Sequence, residues 1–129
     1  MKNSFTKKHM SLPEILLDKG LAKVGDAFVN FVFSFAVSNK KATPRNIRVP
    51  SNILSEALKK TGFRKHLPSR IDRHRQGDAV EALIFYSWLE GVLSLEECVS
   101  ILQQEADMPV EAFAKLITII IERLDTKKD

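Results

Sequence analysis

Cysteine occurs once in the 129 residues, as Cys98, which excludes an internal disulfide. Histidine occurs only at positions 9, 66 and 74, too few beside one cysteine for a structural zinc centre. No apolar run reaches the ~18 residues that a membrane span needs. The densest stretch, Phe28 to Val37, is broken by Asn30 and Ser34. The basic N-terminus lacks the apolar core of a secretion signal. These absences point to a cytoplasmic protein with no membrane partner. Alternating strand patterns are scarce, and there is no internal repeat or low-complexity segment. No Ser/His/Asp or Cys/His arrangement for nucleophilic catalysis stands out.

What is present fits one globular domain over residues 1–129, 44% hydrophobic and 28% charged. The net charge of +4 hides an asymmetry. Residues 1–38 carry +2, residues 39–75 carry +9 and residues 76–129 carry −7. A middle third this basic attracts a polyanion, and nucleic acid is the usual one. The plainer alternative is a solvated surface on which middle and end neutralise each other.

The order of signals along the chain predicts an all-α helical bundle. Ser11-Leu-Pro-Glu14 reads as a capping box for a short helix that Gly20 stops. A second helix, apolar nearly all round, runs from Leu21 to about Asn39; such a helix lies in the middle of a fold or at a subunit contact. Asn39 to Pro50 reads as a loop. A short helix follows over Asn52–Lys60, ended by Gly62. Ser69 is the expected cap of a long helix through Trp88, stopped near Gly91. Ser94-Leu-Glu-Glu97 is a second capping box, for a helix to about Ala106. Asp107-Met-Pro109 then opens a last helix to Leu124, with a frayed tail Thr126-Lys-Lys-Asp129.

Two stretches, KVGDAFVNF at 23–31 and RQGDAVEAL at 75–83, place Gly-Asp-Ala ahead of apolar residues. As helix caps, Asp26 would start a helix at Ala27, and Asp78 with Glu81 would form a capping box. Against this, Leu21, Ala22 and Val24 already fit the apolar face that continues through Phe28. If a helix runs through Asp78, then Asp78 and Glu81 share one face. Paired carboxylates repel unless a cation sits between them, and hard divalent ions such as Mg²⁺ take such oxygen ligands. Asp26 from another helix would complete an acidic cluster.

On these residues the chain resembles the endonuclease domain of the ribonuclease III family. GLAKVGDAFVNFVF is similar to its signature helix, where Leu-x-x-x-Gly-Asp-Ala carries a metal-binding aspartate. GDAVEALIFYSWLEG is similar to its second acidic helix. Asp26 matches the first aspartate, and Asp78 and Glu81 match the second pair. The resemblance covers roughly residues 11–105. It departs in one place: the glutamate usual one turn before the aspartate is here Ala22, as in the short Mini-III form of the family, which is counted as an active nuclease. The lack of room for a double-stranded-RNA-binding domain is another similarity to Mini-III and to short archaeal forms.

The resemblance implies hydrolysis of phosphodiesters in double-stranded or structured RNA with Mg²⁺ or Mn²⁺, in RNA processing such as that of ribosomal RNA. Asp26, Asp78 and Glu81 would be the catalytic metal ligands, and Asn30 a neutral oxygen ligand or a hydrogen-bonding group inside the bundle. It also implies a homodimer, with the face of helix 28–37 as the contact, because each acidic cluster serves one strand. Lys65, Arg70, Arg73 and Arg75, just ahead of Asp78, would line the approach on a helix, with Arg75 and His74 nearest. Lys40, Lys41, Arg45 and Arg48 would follow the RNA backbone further out. Two rivals stand beside this: an RNA-binding protein of the same fold that does not cut, and a helical interaction module whose aspartates are caps.

Overall fold

The stretch around Phe28–Val37, whose residue types suit strand and helix alike, is helical. In a computed structural model, which describes residues 3–7 and 9–127, it lies inside α2 (Lys19–Lys41). Length decides this: twenty-three residues without a proline between caps propagate a helix. The other helices are α1 (Leu12–Leu16), α3 (Ser51–Thr61), α4 (Arg73–Leu89), α5 (Leu95–Gln104) and α6 (Pro109–Lys127), with a 3-10 turn at Phe63–His66. No strand occurs among the described residues, so the architecture is the all-α bundle expected.

Several boundaries follow the local signals. Ser11 and Ser94 both form complete capping boxes, with Glu14 and Glu97. Gly62 ends α3 with φ 79°, a left-handed position that glycine takes without steric cost. Three boundaries differ. Gly20 does not stop α1; it sits in the first turn of α2, and Asp18 caps that helix by accepting from the Leu21 amide at 2.9 Å. Ser69 does not cap α4; Asp72 does, accepting from the Arg75 amide at 2.8 Å. The last helix, α6, begins at Pro109 as expected but runs on past Leu124 through Thr126 and Lys127, and Asp107 pairs with Lys40 at 3.1 Å. Lys128 and Asp129 of the expected frayed tail lie outside the described residues.

The core is built on α2 and α4. Val29, Val32, Phe33, Ala36 and Val37 face inward from α2, and α4 is buried almost all round, from Ala79 through Leu89. Helix α2 packs mainly on α4 and next on α5, while α3 sits between α4 and α6. By length, and with an 18-residue window of mean hydropathy 1.4, α2 would suffice to cross a membrane; here its inward face is filled by the bundle. Val24, Phe31 and Phe35 remain exposed as a stripe along its outer side.

The two helices meet at a glycine. A Cβ on Gly25 would stand 2.4 Å from the Glu81 carbonyl oxygen, so only glycine lets α2 approach α4 this closely. Gly77 plays a milder part against α3, where a Cβ would lie 3.2 Å from the Ser51 Cβ.

The segment after α2 doubles back along it. Three polar side chains spaced four apart on α2 hold alternate residues of that segment. Ser38 Oγ accepts from the Arg45 amide at 2.8 Å, Ser34 Oγ accepts from the Ile47 amide at 2.8 Å, and Asn30 Oδ1 accepts from the Val49 amide at 2.7 Å. The spacing works because four helical residues rise about 6 Å and two extended residues span about 6.6 Å. Ser34 and Ser38 also donate to the carbonyls of Ile47 and Arg45. The segment therefore satisfies backbone groups on helix side chains as a strand would on a sheet.

Candidate active-site cleft

Helix α2 runs through residue 26 and α4 runs through residue 78, so neither aspartate is a cap. Asp26, Asp78 and Glu81 line one cleft of about 820 Å³ between the N-terminal halves of the two helices. The close approach at Gly25 puts the Asp26 and Glu81 carboxyls within hydrogen-bonding reach. Glu81 is buried, while Asp26 and Asp78 are half-exposed at the cleft surface. Burial, a hydrogen bond to Asp26 and the charges of Asp26 and Asp78 push the Glu81 carboxyl up to about 8. It therefore holds a proton near neutral pH when nothing else neutralises the cluster.

Each aspartate has a basic side chain beside it. Arg48 Nη2 lies 4.0 Å from Asp26 Oδ2, and His74 Nε2 lies 3.8 Å from Asp78 Oδ1. Asn30 Nδ2 donates to Asp26 Oδ1 at 3.2 Å. Its own oxygen accepts from the Val49 amide at 2.7 Å, the hydrogen-bonding role inside the bundle that the sequence suggested for Asn30. Ala22, in place of a carboxylate, forms part of the cleft wall one turn before Asp26.

Of the eight basic residues singled out from the sequence, two line the cleft: Arg48 and Arg75. His74 lies there as well. Lys65 falls in the 3-10 turn and Arg70 in the turn before α4, so neither extends the helical approach to Asp78; both are exposed, as is Arg73. Lys40 and Lys41 end α2, about 21 Å along the helix from Asp26, and Lys40 is committed to Asp107. Arg45 is exposed on the returning segment. Two cations that sequence reasoning missed, Lys19 and Lys23, also line the cleft. Their signal was spacing: positions 19, 23 and 26 share one helical face once α2 begins at Lys19.

The donor set fits a hard divalent cation: three carboxylates on rigid helices, with no thiolate and one imidazole. Among the described residues, no three acidic, histidine or cysteine side chains close around one point as they stand. Asp26 lies beside Arg48 and Asp78 beside His74.

An all-α bundle with a carboxylate cleft rimmed by cations suits binding of a phosphate polymer. The particular family follows from comparison: the chain belongs to the Ribonuclease III family, whose model matches residues 19–126. A search of curated proteins found no match. Membership supports a ribonuclease-type function; the family generally acts on double-stranded RNA and generally uses divalent metals.

Proposed function

We propose that this chain is a metal-dependent endoribonuclease that hydrolyses phosphodiesters in double-stranded or structured RNA. One observation carries the reading: within a ribonuclease III match, Asp26, Asp78 and Glu81 from two helices line a single cleft whose rim is basic. Bound there, Mg²⁺ or Mn²⁺ supplies an activated water and neutralises charge on the phosphoryl oxygens. Asp26 and Asp78 offer the outer oxygen ligands. Glu81 would join them as the ionised carboxylate, since only that form ligates, its proton passing to solvent. Lys19, Lys23 and Arg75 hold phosphates of the strand across the cleft mouth.

Two strands require two clefts, and we place the second in a homodimer. The packing supports a narrower contact than the whole 28–37 face. Val29, Val32, Phe33, Ala36 and Val37 are used by the chain's own core, which leaves Val24, Phe31 and Phe35 for a partner.

The test is cleavage of an end-labelled RNA duplex with Mg²⁺ or Mn²⁺, with and without EDTA. Discrete products that vanish in EDTA are expected. A second reading is favoured by Ala22 in the cleft wall: RNA binding without cutting. Protein that shifts the duplex on a gel yet leaves it intact with every divalent ion tried would establish that reading instead.

A further inference from the structure

Arg48 and Val49 are neighbours in sequence, and between them they reach both oxygens of Asp26. Arg48 approaches Oδ2 directly at 4.0 Å. The Val49 amide fixes Asn30, and Asn30 donates to Oδ1 at 3.2 Å. The backbone under this grip is pinned by the amides of residues 45, 47 and 49 to α2. The Arg48 side chain itself is free to move: it is 82% exposed, and its contact with a 50% exposed Asp26 is at the limit of an ion pair. Such an exposed pair holds weakly. A divalent ion in direct contact with the same carboxylate, at about 2.1 Å for Mg²⁺ and with twice the charge, displaces it readily. A displaced guanidinium stays at the cleft wall, with five donors in a fork that matches a phosphate.

We propose that Arg48 is a built-in counter-cation for Asp26, which yields that carboxylate to an arriving divalent ion and then receives an RNA phosphate at the same wall. This inference rests on the reading of the cleft as a metal-dependent RNA site. It makes Arg48 a substrate-binding residue that couples metal binding to RNA binding. Coupling of this kind is reciprocal: whatever the ion does for RNA affinity, RNA does for ion affinity.

The test compares wild-type protein with Arg48→Gln and Arg48→Lys, each checked for unchanged helicity by circular dichroism. Without RNA, Mn²⁺ binding is measured by titration calorimetry. Arg48→Gln removes the competing charge and should bind Mn²⁺ about two- to fivefold tighter, while Arg48→Lys stays near wild type. Duplex RNA affinity is then read from the fluorescence anisotropy amplitude before turnover, in EDTA and in Mn²⁺. Mn²⁺ should raise wild-type affinity by a larger factor than it raises that of Arg48→Gln. A merely structural arginine would not improve metal binding on removal. Mn²⁺ affinity equal to or weaker than wild type in Arg48→Gln, or an equal gain in RNA affinity in both proteins, overturns the proposal and leaves the nuclease reading in place. Wild-type protein that takes up no Mn²⁺ removes the metal-site reading, and this inference with it.

Discussion

The same tripeptide, Gly-Asp-Ala, occurs in α2 and in α4, and the two copies do comparable work under different constraint. In each, the aspartate reaches the cleft while the glycine before it faces a neighbouring element. At Gly25 that neighbour is backbone, the Glu81 carbonyl, with no room for even a methyl group. At Gly77 it is mostly the Ser51 side chain and Cα, slightly tighter than ordinary contact. The lesson is that Gly25 sets the distance between two functional groups, Asp26 and Glu81, whereas Gly77 sets only how snugly α3 meets α4. One motif thus specifies both a site and a packing joint.

The largest expected effect separates site from packing. Glu81→Gln keeps the shape but withdraws one ionisable ligand, and cleavage should fall about a hundredfold or more. The same substitution should stabilise the metal-free fold at high pH. The native Glu81 carboxyl is raised from 4.5 to about 8, so the folded chain retains a proton that the unfolded chain releases. Its burial therefore costs nothing below the lower value and progressively more as pH rises toward the upper one. Thermal melts in EDTA should show the variant more stable than wild type by about 2 kcal/mol at pH 8 and level with it near pH 4, allowing for solvent in the cleft. A variant that loses stability at pH 8 would mean that Glu81 is structural.

Gly25→Ala comes next. Alanine is the better helix former by about 1 kcal/mol, yet the backbone clash should outweigh this and leave a net loss of about 2 kcal/mol. For a domain of this length that is roughly 7 °C in Tm. Cleavage should drop as well, even where the protein is folded, because Asp26 and Glu81 are forced apart.

Gly77→Ala should have the smallest effect. The Ser51 contact needs to yield by only a few tenths of an ångström, and the gain in helix propensity offsets the cost, so stability should stay within about 1 kcal/mol of wild type. Near-equal losses at both glycines would erase the distinction between them.

How much of this could be read from sequence depends on whether a feature is local. The capping boxes at Ser11 and Ser94 involve residues three apart and were plain. That α2 runs past Asp26 was legible because Leu21 and Ala22 carry its apolar face ahead of the aspartate, while the pairing of Asp78 with Glu81 followed from their spacing of three on one helix. The start of α4 was not legible. Ser69 and Asp72 are both good caps, and the choice falls to tertiary contacts: Ile71 is buried, and Gln76 donates to its carbonyl while accepting from Ser55 of α3. Arg70 and Lys65 lost their expected place with that shift. The ion pair of Lys40 was not legible for a related reason, since a cation in a basic run gives no sign of an acidic partner such as Asp107 far along the chain.

The segment that runs back along α2 has a two-beat rhythm. Residues 45, 47 and 49 turn their amides to the helix, while 46, 48 and 50 lie exposed. Pro44 and Pro50, which have no amide hydrogen to give, both fall on the even beat, where none is asked for. The segment therefore behaves like a reading frame of two. Insertion or loss of one residue between Ala42 and Arg48 would turn every later side chain over and carry the guanidinium away from Asp26, whereas a change of two would restore the phase. The length of this loop is constrained by parity more than by reach: an odd step silences Arg48 without replacing Asp26, Asp78 or Glu81.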